Sequence, residues 1–84
     1  MKKKVNEPGD PLTDRQREVF DFIRLMAYAG LSPTLREIAA ECYSGRSAYA
    51  AVRQCCEAIS RKGYIKVRRG EDRGLVITEM GRRL

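Results

Sequence analysis

The 84-residue sequence predicts a mainly α-helical domain that closes with a small antiparallel β-hairpin. Three observations carry this. Thr13-Asp14-Arg15-Gln16 and Thr34-Leu35-Arg36-Glu37 are both capping boxes, in which a Thr oxygen caps the third helical N–H and Gln or Glu reaches back to the cap. Three stretches repeat apolar residues at the helical period. A last stretch alternates apolar and charged residues on one side of a glycine-bounded turn.

In chain order, residues 1–11, with Lys2, Lys3, Lys4, two prolines and a glycine, read as a flexible arm. The first helix starts at Thr13 and aligns Val19, Phe22, Ile23 and Met26 in one stripe. Phe20, Phe22 and Met26 read as core, and Gly30 offers the left-handed cap. Pro33 discourages helix before Thr34, and Leu35, Ile38, Ala39 and Cys42 give the second helix its buried side. A turn follows at Tyr43-Ser44-Gly45-Arg46. Ser47 caps a third helix that places Ala48, Val52, Cys55, Cys56 and Ile59 on one side. Ser47, Ala50, Arg53, Gln54, Glu57 and Arg61 fall on the other. Lys62-Gly63 ends it. Ile65 and Val67, alternating with Lys66 and Arg68, predict a half-buried strand, Gly70–Gly74 a turn, and Leu75–Thr78 a second strand. Residues 79–84 form a tail in which Thr78 offers a cap for a short helix and Gly81 argues against one. The expected domain is thus 12–78, with Val52, Cys56 and Ile59 packed on Val19, Ile23 and Ile38.

Composition excludes several classes. No apolar run is long enough to span a membrane, and the N-terminus lacks the apolar core of a signal peptide, so a cytoplasmic protein is expected. Without histidine there is no Ser-His-Asp or Cys-His arrangement, and no phosphate-binding glycine motif is present. The expectation is no enzyme, no cofactor and no small-molecule substrate. Cys42, Cys55 and Cys56 lack metal-ligand spacing, so no metal site is expected, and packing as small hydrophobes explains them better than reactivity. Asp14 and Glu18 sit among arginines, where ion pairs explain them.

The net charge is +6 and is unevenly placed. Residues 46–73 carry eight basic and three acidic side chains, while residues 12–45 carry four and five. Basic clustering fits a polyanion partner, and equally a solvated basic face.

Three helices and a hairpin, with a tight turn between helices two and three, is the order of a winged helix-turn-helix. At this point the sequence resembles a known family. Leu12-Thr13-x-Arg15-Gln16-x-Glu18-Val19-Phe20-Asp21-x-Ile23-Arg24 is similar to the opening of the LexA repressor DNA-binding domain family. Pro33-Thr34-x-x-Glu37-Ile38-Ala39 resembles its second helix, Ala58-Ile59-Ser60-Arg61-Lys62-Gly63-x-Ile65 the end of its third, and Arg73-Gly74-Leu75 the exit from its wing. The resemblance implies a bacterial or phage regulator. It departs in three ways. The family's second domain, a self-cleaving Ser–Lys protease, has no counterpart in the residues after Thr78, and Ala29-Gly30 is helix-end sequence. That domain also supplies the main dimerisation surface, so self-association on DNA is left open. Ala48-Tyr49-Ala50 replaces the family's Ser-Pro-Asn-like start of the reading helix, so the operator does not carry over.

In a helix-turn-helix the second helix of the motif reaches base edges in the major groove. On this reading Ser47, Ala50, Arg53 and Gln54 face double-stranded DNA. Tyr49 stands at the border and either meets DNA or packs between helices. Thr34, Arg36 and Arg46 are candidate phosphate contacts, as are Arg68, Arg69 and Arg73 on the hairpin. Glu71 and Asp72 at its tip oppose phosphate. The expected function is a sequence-specific DNA-binding transcriptional regulator, a repressor occupying an operator. The alternative is a winged-helix module that docks on polymerase or another regulator, which predicts an exposed apolar patch.

Overall fold

A computed structural model of the protein describes residues 7–43, 48–68 and 74–84. The elements are α1 (Asp14–Tyr28), α2 (Leu35–Cys42), α3 (Ala48–Arg61), β1 (Ile65–Val67), β2 (Leu75–Ile77) and α4 (Glu79–Arg82). Both capping boxes form. Thr13 Oγ1 accepts from the Gln16 N–H at 3.2 Å, and Thr34 Oγ1 from the Glu37 N–H at 3.1 Å. The Gln16 and Glu37 side chains return the bond to the cap N–H groups. Gly30 and Gly63 take φ of 77° and 92° beyond the ends of α1 and α3, as their positions predict.

The core joins all three helices to the hairpin. Val19, Phe20 and Ile23 of α1, Ile38 of α2, and Val52, Cys55, Cys56 and Ile59 of α3 pack with Tyr64, Ile65 and Leu75. The predicted contact set of α3 on α1 and α2 is present. On α1, Phe20 is fully buried and Phe22 only partly, although the stripe predicted from spacing centres on Phe22. The reason is that α1 is covered by α2, α3 and β2 together, which widens its buried arc beyond one stripe. Phe20 meets Tyr64 edge to face, with ring centroids 6.2 Å apart.

The strands are antiparallel, with Ile65 opposite Ile77, Lys66 opposite Val76 and Val67 opposite Leu75. The alternation expected for β1 holds at Ile65, which is buried. Val67 is 40% exposed, because the strand has by then run beyond the cover that α3 gives Ile65. Of the turns expected at Gly70–Gly74 and Tyr43–Arg46, residues 70–73 and 44–46 lie outside the described residues, as does the Ser47 cap.

Residues 9–11 and the segment after Thr78 are fastened more firmly than composition suggests. Residues 9–11 lie on the end of α3. The Gly9 N–H donates to the Lys62 carbonyl at 2.9 Å, and the Tyr64 hydroxyl to the Asp10 carbonyl at 2.9 Å. Lys62 is only 5% exposed, and its ammonium donates to the Pro11 carbonyl and to Gln16 Oε1. It therefore does not belong to the basic surface, although the charge pattern counts it there. At the other end α4 does form, capped by Thr78. Gly81 favours rather than opposes it, because a Cβ there would collide with the Tyr64 carbonyl oxygen and with Ile77. Arg24 Nη1 donates to the Leu84 carbonyl at 2.8 Å, so the tail closes back onto α1.

The free thiols behave as core groups. Burial pushes the Cys56 thiol up to about 12, with the neighbouring Cys55 and Cys42 adding to the shift. Cys42 and Cys55 are raised for the same first reason. Tyr43 is pushed up to about 12, again mainly by burial.

Two outcomes are expected. Ile59→Ala, at a fully buried position, lowers unfolding free energy in urea by about 2–5 kcal/mol, and Gly81→Ala also destabilises by forcing α4 off β2. Stability also falls in alkali. An unfolded Cys thiol or Tyr phenol titrates near its ordinary value of 9.0 or 10.0, while folded Cys56 and Tyr43 hold their protons to about 12. The unfolded state loses protons first, so the contribution is complete below about pH 9 and declines as pH rises toward about 12. Melting temperatures measured from neutral pH to about pH 10.5 check this, and Cys56→Ala makes the decline shallower.

Candidate nucleic-acid interface

A 14-residue helix with one side wholly committed to the core presents the other side rigidly. In α3 the buried positions are Ala48, Val52, Cys55, Cys56, Ala58 and Ile59. The exposed face runs through Tyr49, Ala50, Arg53, Gln54 and Glu57. This is the division the 100° rotation per residue predicts. Tyr49 is 50% exposed, so it does not disappear between helices. Ala50 and Ala51 carry only methyl groups, so beside the Tyr49 ring this side of the first turn of α3 is low. Arg53 and Gln54 rise one turn further on.

Arg53 Nε lies 3.6 Å from Glu57 Oε1, one turn along the same face, and the Arg53 side chain remains 68% exposed. An exposed pair of this kind is worth about 0–1 kcal/mol, so it aims the guanidinium outward and yields readily to a stronger acceptor.

The other candidate residues are distributed over neighbouring elements. The Thr34 hydroxyl is engaged by the Glu37 N–H, so its structural role is the α2 cap, and Arg36 is exposed in the first turn beyond it. Arg68 is exposed, and its backbone N–H donates to the Gly74 carbonyl at 2.8 Å, closing the base of the hairpin. Gly74 has no alternative there, since a Cβ would meet the Arg68 carbonyl at 2.6 Å. Arg46, Ser47, Arg69 and Arg73 lie outside the described residues. The structure therefore brings Tyr49, Ala50, Arg53 and Gln54 together on one face and sets Arg36 and Arg68 on separate elements.

One cation was missing from the sequence-derived set. Lys66 is exposed on β1, two residues before Arg68 and therefore on the same side of the strand. The alternation that predicted the strand contained this signal. Among the described residues, no group of His, Cys, Asp and Glu is placed to hold a metal ion, and no helix is long and apolar enough to cross a membrane.

Comparison with known proteins agrees with this geometry. The family model described as the LexA DNA binding domain matches residues 9–74. The LexA repressor of Halorhodospira halophila is 43% identical over 72 residues, covering 83% of this chain and 30% of that protein. The LexA repressor of Citrifermentans bemidjiense is 41% identical over 69 residues, covering 81% of this chain and 33% of the relative. That of Burkholderia cenocepacia is 43% identical over 65 residues, with 76% and 29% covered. The chain spans about a third of the length of these relatives. The match begins at Gly9, where the chain first bonds to the end of α3, and runs through all three principal helices to Gly74, at the start of β2. On that match the chain belongs to the LexA DNA-binding domain family.

Proposed function

We propose that this protein is a sequence-specific double-stranded DNA-binding regulator that represses transcription by occupying an operator, without catalysis of its own. The observation that carries the reading is the exposed face of α3, where Tyr49, Ala50, Arg53 and Gln54 stand together. Arg forms a bidentate pair with guanine and Gln with adenine, while an exposed Tyr49 ring suits a thymine methyl. The relatives are repressors by name, which supports the direction of regulation. Ser47 and Ala50 complete the base-facing set. Thr34, Arg36, Arg46, Arg68, Arg69 and Arg73 hold phosphates and fix the register. Two copies meet on DNA at half-sites about one helical turn apart, as a two-fold arrangement requires.

A second reading, docking on another protein, is favoured by one specific observation. The end of α1 and β2 frame an open groove of about 500 Å³ that includes Leu31, Val76 and Tyr28, the last 84% exposed. These elements are distinct from α3, so a partner seated there leaves the Arg53 face free.

The test is a binding-site selection followed by salt titrations. Wild-type affinity falls with salt at a log–log slope of about −0.9 per phosphate contact, with about four to seven contacts per copy. Arg53→Ala costs about 1–3 kcal/mol on the preferred site and relaxes one base position. Replacing Arg68 and Arg69 by Ala weakens all sequences alike and makes the slope shallower by about one to two. A selection that returns no motif, with affinity flat in salt, overturns the DNA reading in favour of docking.

A further inference from the structure

We propose that Arg15, on the first turn of α1, is a positioning residue that sets the reading helix and thereby controls sequence discrimination without touching DNA. The inference rests on the DNA-reading role of α3.

Three contacts converge on this one guanidinium. Arg15 Nη1 donates to the Cys42 carbonyl at 2.5 Å, which is the last residue of α2. The same nitrogen pairs with Glu18 Oε1 at 3.1 Å, one turn along α1, with both side chains more than half exposed. The guanidinium carbon lies 4.5 Å from the centroid of the Tyr43 ring, the residue that ends α2. A helix end leaves carbonyls without partners and carries partial negative charge, and α2 has no basic residue in its own last turn. Arg15 supplies that missing cation from another helix.

The linkage continues into α3. Tyr43 and Cys42 are partly buried against the core cluster that includes Cys55 of α3. Cys55 faces the core two residues beyond Arg53. A short chain of contacts thus runs from α1 through the end of α2 to the middle of α3. On the same flank the Cys42 thiol points at the Glu18 carbonyl, at 3.9 Å. Apolar packing alone tolerates small sliding of one helix on another, whereas a planar cation that donates from Nη1 to the Cys42 carbonyl and lies over the Tyr43 ring narrows that freedom. A bidentate base contact from Arg53 depends on the direction of α3.

The experiment measures dissociation constants of wild type, Arg15→Ala, Arg15→Lys, Tyr43→Leu and the Arg15→Ala/Tyr43→Leu double variant for the selected site and for a scrambled duplex. It is done at low temperature, where circular dichroism shows each variant folded. Arg15→Ala is expected to lower the preference for the selected site about tenfold, the equivalent of one misaligned base contact, with binding to the scrambled duplex and its salt slope unchanged. Arg15→Lys, which keeps the charge and loses the flat fork, shows a smaller loss and keeps the test alive if Arg15→Ala does not fold. The Arg15→Ala/Tyr43→Leu double variant loses no more than the worse single variant, because both break one linkage. An unchanged preference in a folded Arg15→Ala overturns the proposal. So does an equal loss on both duplexes with a shallower salt slope, which would make Arg15 a phosphate contact. Fully additive losses also overturn it. If wild type itself shows no preference, the DNA-reading role fails and the proposal fails with it, a result separable from all the others.

Discussion

Everything in this small domain depends on the burial of one side of α3. Val52, Cys56 and Ile59 are almost wholly removed from water by α1, α2 and the hairpin. Burial of apolar side chains is the dominant favourable term in folding, but it is not directional. Direction comes from the residues that are not buried. Once Val52 and Ile59 are inside, a 3.6-residue period leaves Ala50, Arg53, Gln54 and Glu57 outside. Core and candidate interface are therefore two sides of one helix, and a change in either is felt in the other.

Around that core a few polar closures hold what apolar packing leaves loose. Lys62 is the clearest case. A buried ammonium is costly unless it is hydrogen-bonded, and here it is satisfied by the Pro11 carbonyl and the Gln16 side chain. Gln16 is thereby shared between the α1 capping box and the end of α3, which ties the N-terminal segment, the start of α1 and the end of α3 into one junction. Ser32 acts similarly at the hairpin, donating to the Leu75 carbonyl and accepting from the Leu75 N–H along the outer edge of β2. Arg24 joins α1 to the chain end through Leu84. These contacts act between segments far apart in the chain, and they suit a chain too short to rely on core volume alone.

The same economy shapes the exposed face. Ala50 and Ala51 add little to the bulk of the helix, and the longer exposed side chains of Arg53 and Gln54 begin further along it. The Arg53–Glu57 pair holds a charge in reach without burying it. Cys55 and Cys56 lie under this face in the core, and burial pushes both thiols up.

The helices, their caps and the two faces of α3 are legible in the order of residues, because they follow from local hydrogen bonding and from periodicity, which need no knowledge of neighbours. Thr13 and Thr34 each find their partner three residues away, and Ile38, Val52 and Ile59 repeat at a fixed angle. The sequence also determined that Ala50, Arg53 and Gln54 share a face. It did not determine that Lys62 is buried, that Phe20 lies deeper than Phe22, that Gly81 is required in α4, or that Arg15 reaches the end of α2. Each of those depends on a group brought close from a distant part of the chain: the Pro11 carbonyl, the second and third covers on α1, the Tyr64 carbonyl and the Cys42 carbonyl. Charge counting placed Lys62 on the surface because a lysine is solvated unless something replaces water. Only the tertiary structure decides whether something does.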